Sequence, residues 1–544
     1  MFCVAAVLGT VLWFVLLAQR PLFDPDEGRY AEIPREMLAS GDWTTPRLND
    51  IKYFEKPALQ YWATATAYTL FGEHQWTARL WSALTGFLGV LMVFFTGRRL
   101  FGAMAGWNAA LVLASSLLYV LIGHVNTLDM GVSFFLSAAV CAFLLAQHDD
   151  ADARARSRWM LAAWAALALA VLSKGLIGLV LPGAALVLYI VIERDWRLAG
   201  RLRLVAGTAL LLALTLPWFV SVSLANPEFF HFFFIHEHFE RFLTREHGRY
   251  QPPYYFVPVL LAGMLPWTLT LIDALARAWK RDPQRHFQAQ RFLLIWAAVV
   301  FVFFSASNSK LVSYILPMFP ALALLTGVRL TQLGKRALAW QTLPAALAGI
   351  ALLALLPGIE RYASREVPAE LFRDYAAWLI AAGVLQIAGA VACAWLASRA
   401  RSASALALLA AAGLVFAQLA LSGHESLSRA NSAYHIAQKI KPELKPGMPF
   451  YSVNTYDQSL QFYLQRSTTM VMYKDELGFG IEQEPGKFIP DFPAFEKTWN
   501  AEREALALMS PNTYETFRAK GLPMRLVARD TRRIIVARGL AAIP

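Results

Sequence analysis

The sequence predicts an all-α polytopic membrane domain of about 13 transmembrane helices, followed by a small α/β domain. Three observations predict it. The 544 residues are 57% hydrophobic and only 16% charged, with a mean hydropathy of +0.43, whereas a soluble domain carries about 25% charge. Apolar stretches near twenty residues recur as far as residue 421, each long enough for one helix across a bilayer. After that point the long apolar runs stop.

Taken in order, the spans fall near 1–19, 77–97, 104–120, 130–147, 159–172, 176–192, 204–223, 257–278, 292–306, 312–327, 337–356, 374–397 and 403–421. The first lacks a basic leader and a small-residue cleavage site, so it reads as a retained span. Ser173-Lys174-Gly175 divides 159–192 into two short pieces. Alternate loops differ in charge. One set, from Arg98-Arg99 to Arg399/Arg401, holds 18 Lys and Arg in about 55 positions, and the other 14 in about 124. The richer set is expected in the cytoplasm, which puts the amino terminus inside. Loops 20–76 and 224–256 and the 422–544 tail then lie outside. The net charge of +12 therefore reads as topology, and no nucleic-acid partner is implied. Cys3, Cys141 and Cys393 all sit in apolar runs and form no metal or disulfide pattern.

The chain thus divides into a membrane domain, 1–421, and an outer domain, 422–544. The second is large enough for its own core. Strand patterns occur at Phe450-Tyr-Ser-Val and Arg533-Ile-Ile-Val-Ala, and helical patterns near 430–441, 456–464 and 510–519. Nothing in this tail has a catalytic look.

The outer loops carry the candidate chemistry. In FDPDEGRYAEIPREMLASGDW, 23–43, Tyr30, Ile33, Met37 and Leu38 mark one face of a short interfacial helix. Asp24, Asp26 and Glu27 precede it. A helix amino terminus favours acids there, which accounts for one or two of the three. Asp129 opens the fourth span, where an acid is costly unless paired or solvated. Its bland reading is an interfacial acid facing water. Lys174 and Lys310 stand at outer span ends and read as snorkelling lysines. Segment 226–256 combines Phe229, Phe230, Phe232, Phe233 and Phe234 with Arg241, Arg245 and Arg249. Such a segment suits a membrane surface or a greasy groove, and its arginines suit phosphate. No P-loop or GxGxxG precedes a helix, so no nucleotide cofactor is implied. An outer-face transferase needs a donor activated beforehand, such as a sugar on a polyprenyl phosphate.

The motifs PDEGRYAEIPREMLASGDW (25–43), YFEKP (53–57), Leu128-Asp129, SKG (173–175), LPW (216–218 and 265–267), HFERF (238–242) and KLVSYILP (310–317) resemble the bacterial lipid A aminoarabinose transferases. That family lies within the C-type integral-membrane glycosyltransferases related to protein O-mannosyltransferases. The resemblance covers nearly all of 20–330. It implies transfer of 4-amino-4-deoxy-L-arabinose from undecaprenyl phosphate to lipid A phosphate, at the periplasmic face of a Gram-negative inner membrane. Lipopolysaccharide would lose negative charge, which implies resistance to cationic peptides. By resemblance, Asp26 and Asp129 take the places of the family's catalytic acids, with Glu27 beside the first. Lys56 and Arg241 match donor-phosphate cations, Tyr30 and Tyr53 pocket aromatics, and Lys310 and Tyr314 a motif next to the site. A lipid A phosphate is already ionised near neutral pH. Asp26 is therefore read as orienting the sugar and stabilising oxocarbenium-like charge, while a hydroxyl acceptor would need a base. A divalent metal ion at Glu55 and His236 is a further expectation. The alternatives are another polyprenyl-phosphate-sugar transferase, such as a protein O-mannosyltransferase, and a transporter. Transporters gather ionisable groups near the midplane in repeated halves, and no such repeat is found here.

Overall fold

The computed structural model describes residues 2–240 and 250–539, leaving aside the side chains of 2–6 and 236–240. Helices stand at all thirteen predicted positions. The first ten helices are α1 (Phe2–Phe14), α2 (Asp26–Ser40), α3 (Leu59–Phe71), α4 (Gln75–Phe101), α5 (Ala103–Ser115), α6 (Leu117–Gly123), α7 (Leu128–Gln147), α8 (Ala153–Lys174), α9 (Ile177–Glu193) and α10 (Leu204–Ala225). Beyond them run apolar helices at Ala289–Ala306, Val312–Leu330, Lys335–Tyr362, Ala369–Ser398 and Ser402–Asn431.

Among the described residues nine helices are long and apolar enough to cross a membrane, or eleven if two bent pairs each count once. α5 and α6 meet at 64°, and Pro253–Gly263 meets Thr268–Ala278 at 116°. α1 has 13 described residues and α9 has 17. The protein is a multi-pass membrane protein. α8 and α9 are separate helices because Gly175 takes φ +74°, a left-handed conformation that ends α8.

Inside the first long loop, a helix does form at the predicted place, α2, and it is buried from Glu27 to Met37. A hairpin, β1 (Arg47–Leu48) with β2 (Ile51–Lys52), and the unforeseen helix α3 follow it. The tail builds a six-stranded sheet from β3 (Phe450–Val453), β4 (Thr469–Val471), β5 (Phe488–Ile489), β6 (Ala505–Met509), β7 (Arg525–Arg529) and β8 (Ile534–Arg538). Its order is β5-β4-β3-β6-β8-β7. β3 lies parallel to β4 and β6, while β8 closes antiparallel between β6 and β7. β6 is buried along its whole length, which is why Ala505–Met509 reads as an unbroken apolar run.

The tail is pinned to the first outer loop. A Cβ on Gly28 would lie 2.5 Å from the Ser459 nitrogen, so only glycine lets α2 approach the helix at Gln458–Leu464. Arg533 donates to Asp24 at 2.7 Å and also to Asp457. Asn49 and Thr468 exchange two hydrogen bonds of 2.7 Å.

Beneath α2 lies the most heavily bonded acid in this region. Glu27 accepts from Arg79 Nε and Nη2, both at 2.8 Å, and from Arg20 Nη1 at 2.7 Å. The backbone N–H groups of Phe23 and Asn126 donate to it as well, each at 3.0 Å. Burial alone would raise its pKa, but the two guanidiniums outweigh burial and hold the carboxyl well below the usual range. Arg79 spends its remaining donors on the carbonyls of Leu17, Arg20 and Pro21. One cluster therefore ties the end of the first helix to α2, α4 and the approach to α7. Arg79→Ala strands a buried carboxylate and is expected to destabilise the protein by about 3–5 kcal/mol. Thermal unfolding in detergent checks this, and a melting point within a degree or two of the parent would count against the clamp.

Candidate functional site

The site has an outer half on α2 and a membrane half at the mouths of α7 and α8. At the first turn of α2, Asp26 is 45% exposed and pairs with Arg29 at 2.9 Å. Arg29 is mostly buried and reaches on to Glu476 of the tail at 2.5 Å. Gln458 donates to the same carboxylate at 2.6 Å. Burial raises the Glu476 carboxyl, and Arg29 opposes that shift. Around this chain stand four buried tyrosines. Tyr30 stacks on Tyr61 with centroids 6.4 Å apart. The hydroxyls of Tyr53, Tyr61 and Tyr456 have no hydrogen-bond partner among the described residues. Burial, and then the Glu55 carboxylate, raise Tyr53 and Tyr61. Both stay protonated and able to donate to a ligand's oxygen.

On the membrane side, Asp129 in the first turn of α7 pairs with Lys174 at the end of α8. Ser313 donates to its second oxygen at 2.6 Å. The Lys174 ammonium sits 4.9 Å above the Tyr314 ring. These four groups line a small cavity that continues against Val132, Leu136, Ile177 and Leu181, a polar mouth on an apolar slot.

Glu55-Lys56 links the halves. Glu55 acts electrostatically on Tyr30, Tyr53 and Tyr61, and Lys56 on Asp129. The Lys56 ammonium donates to the Glu55 carbonyl at 2.7 Å and lies 3.7 Å from its carboxylate.

The structure therefore brings together Asp26, Tyr30, Tyr53, Glu55, Lys56, Asp129 and Tyr314. Two other predicted residues sit elsewhere. Glu27 faces the Arg20 and Arg79 clamp, so its place is structural. Lys310 is 4% exposed and donates to the carbonyls of Gln251 and Ser307, fastening the loop there. Arg241 and the His236 side chain lie outside the described residues. Lys174, read as a snorkelling lysine, is the partner of Asp129. Sequence reasoning also missed Arg29, although it stands one helical turn after Asp26. The tail, in which nothing reads as catalytic, contributes Glu476 and Tyr456 to the surroundings of Arg29 and the tyrosines. No motif around either residue gave a signal.

For a metal, Glu55 is the described half of the expected pair, and Lys56 already neutralises it. Among the described residues no three His, Cys, Asp or Glu side chains converge. The described residues alone do not fit an ion.

A helical membrane bundle with acids and cations at its mouth and a soluble domain beside them is the architecture of the C-type membrane glycosyltransferases. The oligosaccharyltransferase of Archaeoglobus fulgidus, 14% identical, shares that fold with a TM-score of 0.52 over 96% of this chain and 68% of that one. Two family descriptions match, Aminoarabinose transferase C-terminal domain at 436–538 and Dolichyl-phosphate-mannose-protein mannosyltransferase at 55–220. A crystal structure of ArnT from Cupriavidus metallidurans bound to undecaprenyl phosphate is 41% identical. It superposes with a TM-score of 0.95 over 99% of this chain and 98% of that one. The undecaprenyl phosphate-alpha-4-amino-4-deoxy-L-arabinose arabinosyl transferase of Erwinia tasmaniensis is 35% identical over 60% of this chain and 59% of its own length. The match thus spans about three-fifths of that curated relative. The chain belongs to the aminoarabinose transferase family.

The Asp129–Lys174 pair makes its own prediction. Lys174→Met should destabilise the protein more than Lys174→Met combined with Asp129→Asn, with a coupling of about 0.5–3 kcal/mol. Additive losses in a double-mutant unfolding cycle would mean that the two groups are independent.

Proposed function

We propose that the protein transfers 4-amino-4-deoxy-L-arabinose from undecaprenyl phosphate to a phosphate of lipid A, at the periplasmic face of a Gram-negative inner membrane. One observation carries the reading. The Asp129–Lys174 pair stands at the mouth of an apolar slot, and Glu55-Lys56 couples it electrostatically to the tyrosines beside Asp26. The Cupriavidus relative bound to undecaprenyl phosphate supports the donor, and the charge bias of the loops supports the orientation.

In this reading the isoprenoid tail occupies the apolar slot. Lys56 and Lys174 neutralise the donor phosphate, with Arg241 from the second loop. Asp129 holds Lys174 in place. An oxygen of the acceptor phosphate attacks the anomeric carbon. The bond from that carbon to the donor phosphate oxygen breaks, and undecaprenyl phosphate leaves with the electron pair. The acceptor is already an anion, so no base is required. Asp26 orients the sugar, through its amino group, and stabilises positive charge developing at the anomeric carbon. The tyrosine hydroxyls bond to the sugar. Each transfer lowers the negative charge of lipopolysaccharide.

Asp26→Asn is expected to lower transfer by about 10²–10⁴-fold while donor binding persists, and Lys56→Ala to raise the donor KM first. The reading itself is tested by mass spectrometry of lipid A from cells with and without the gene. Aminoarabinose appears only with the gene, and glycosylated protein beside unmodified lipid A would contradict it. A divalent ion at Glu55 and His236 is a separate proposal. Chelation that abolishes activity, restored by adding the ion back, supports it, and full activity after chelation removes it.

A further inference from the structure

A second opening lies in the outer face, and it shares no residue with the pocket around Asp26. It is a cleft of about 640 Å³ between the turn after α1, the α3–α4 turn, the end of the last membrane helix and two tail helices. Its lining differs from the pocket in kind. Four glutamines, Gln19, Gln75, Gln438 and Gln465, border it with the rings of Trp76 and Tyr434. Gln465 donates to Glu73 at 2.9 Å. Among the described residues the other three amides and the Trp76 N–H make no hydrogen bond within the protein. Glu73 and Glu425 against Lys441 leave the lining near neutral, so it does not select a phosphate. Amides present a donor and an acceptor side by side, as neighbouring sugar hydroxyls do. Aromatic faces suit the apolar face of a pyranose ring. The floor is fixed, because Tyr463 is buried and accepts from the Leu22 N–H at 2.7 Å.

The position is also informative. Part of the lining comes from the ends of α1, α4 and the last membrane helix, and the rest from the tail, which puts the cleft at the seam between them. Beside it Leu70 and Phe71, the last residues of α3, are 67% and 52% exposed, and they would lie against acyl chains. We propose that this cleft is a saccharide subsite, holding sugar residues of the glycolipid acceptor while a phosphate of the same molecule reaches Asp26. The assignment rests on the proposed reading of the acceptor. It makes the seam between membrane domain and tail part of acceptor recognition.

The test uses the full-length protein in nanodiscs. Its probe is the neutral disaccharide of N-acetylglucosamine, which carries no phosphate to draw it to Lys56. Saturation-transfer NMR is expected to show binding that Gln75→Ala combined with Gln438→Ala weakens about tenfold and that Lys56→Ala leaves in place. In transfer assays the same double variant is expected to raise the acceptor KM about tenfold with the donor KM unchanged. An unchanged acceptor KM, or disaccharide binding equal in parent and double variant, would overturn the proposal. Parent protein that binds the disaccharide but transfers no aminoarabinose would instead refute the proposed function.

Discussion

Ionic groups taken out of water at the edge of a bilayer have to be matched, and the outer face of this protein is organised around that requirement. Glu27 and Arg79 are almost wholly buried, and neither could stay charged there alone. Together with Arg20 they fix the exit of the first helix, α2, α4 and the entrance to α7. That arrangement sets Asp26, the residue just before Glu27 on α2, at the pocket. The acid with the most partners serves the fold, and its neighbour with one guanidinium and much exposed surface is the one left for a ligand.

The same logic runs outward. Arg29 stands between Asp26 and Glu476, and Arg533 between Asp24 and Asp457. Two arginines therefore bridge the membrane domain and the tail, one of them at the pocket wall. The tail is a structural part of the site, and its removal would leave Arg29 with Asp26 alone and take Arg533 from Asp24. Toward the lipid, Asp129 and Lys174 pair at the mouths of two helices, where either charge alone would be costly.

How far the sequence could be read follows from the range of each interaction. Apolar length and loop charge are local properties, and they located every membrane helix. They did not register the bend at Ser116, which divides one predicted span into α5 and α6. In the tail the sequence pattern found β3 and β8 and missed β6, although all three are buried strands. Asp26, Tyr30, Tyr53, Lys56 and Asp129 were legible because they occur in compact motifs. Glu476 and Tyr456 enter the pocket from more than 400 positions away in the chain, and no spacing rule reaches that far. The clamp that Glu27 forms was not legible for a related reason. Its partner Arg79 lies 52 residues on, near the start of α4.

The most direct check is a structure of this protein with undecaprenyl phosphate bound. The account predicts the phosphate within hydrogen-bonding distance of Lys56 and Lys174, with the isoprenoid chain running past Val132 and Leu181. A phosphate held at the opposite face, among the arginines near Arg285 and Arg291, would contradict it.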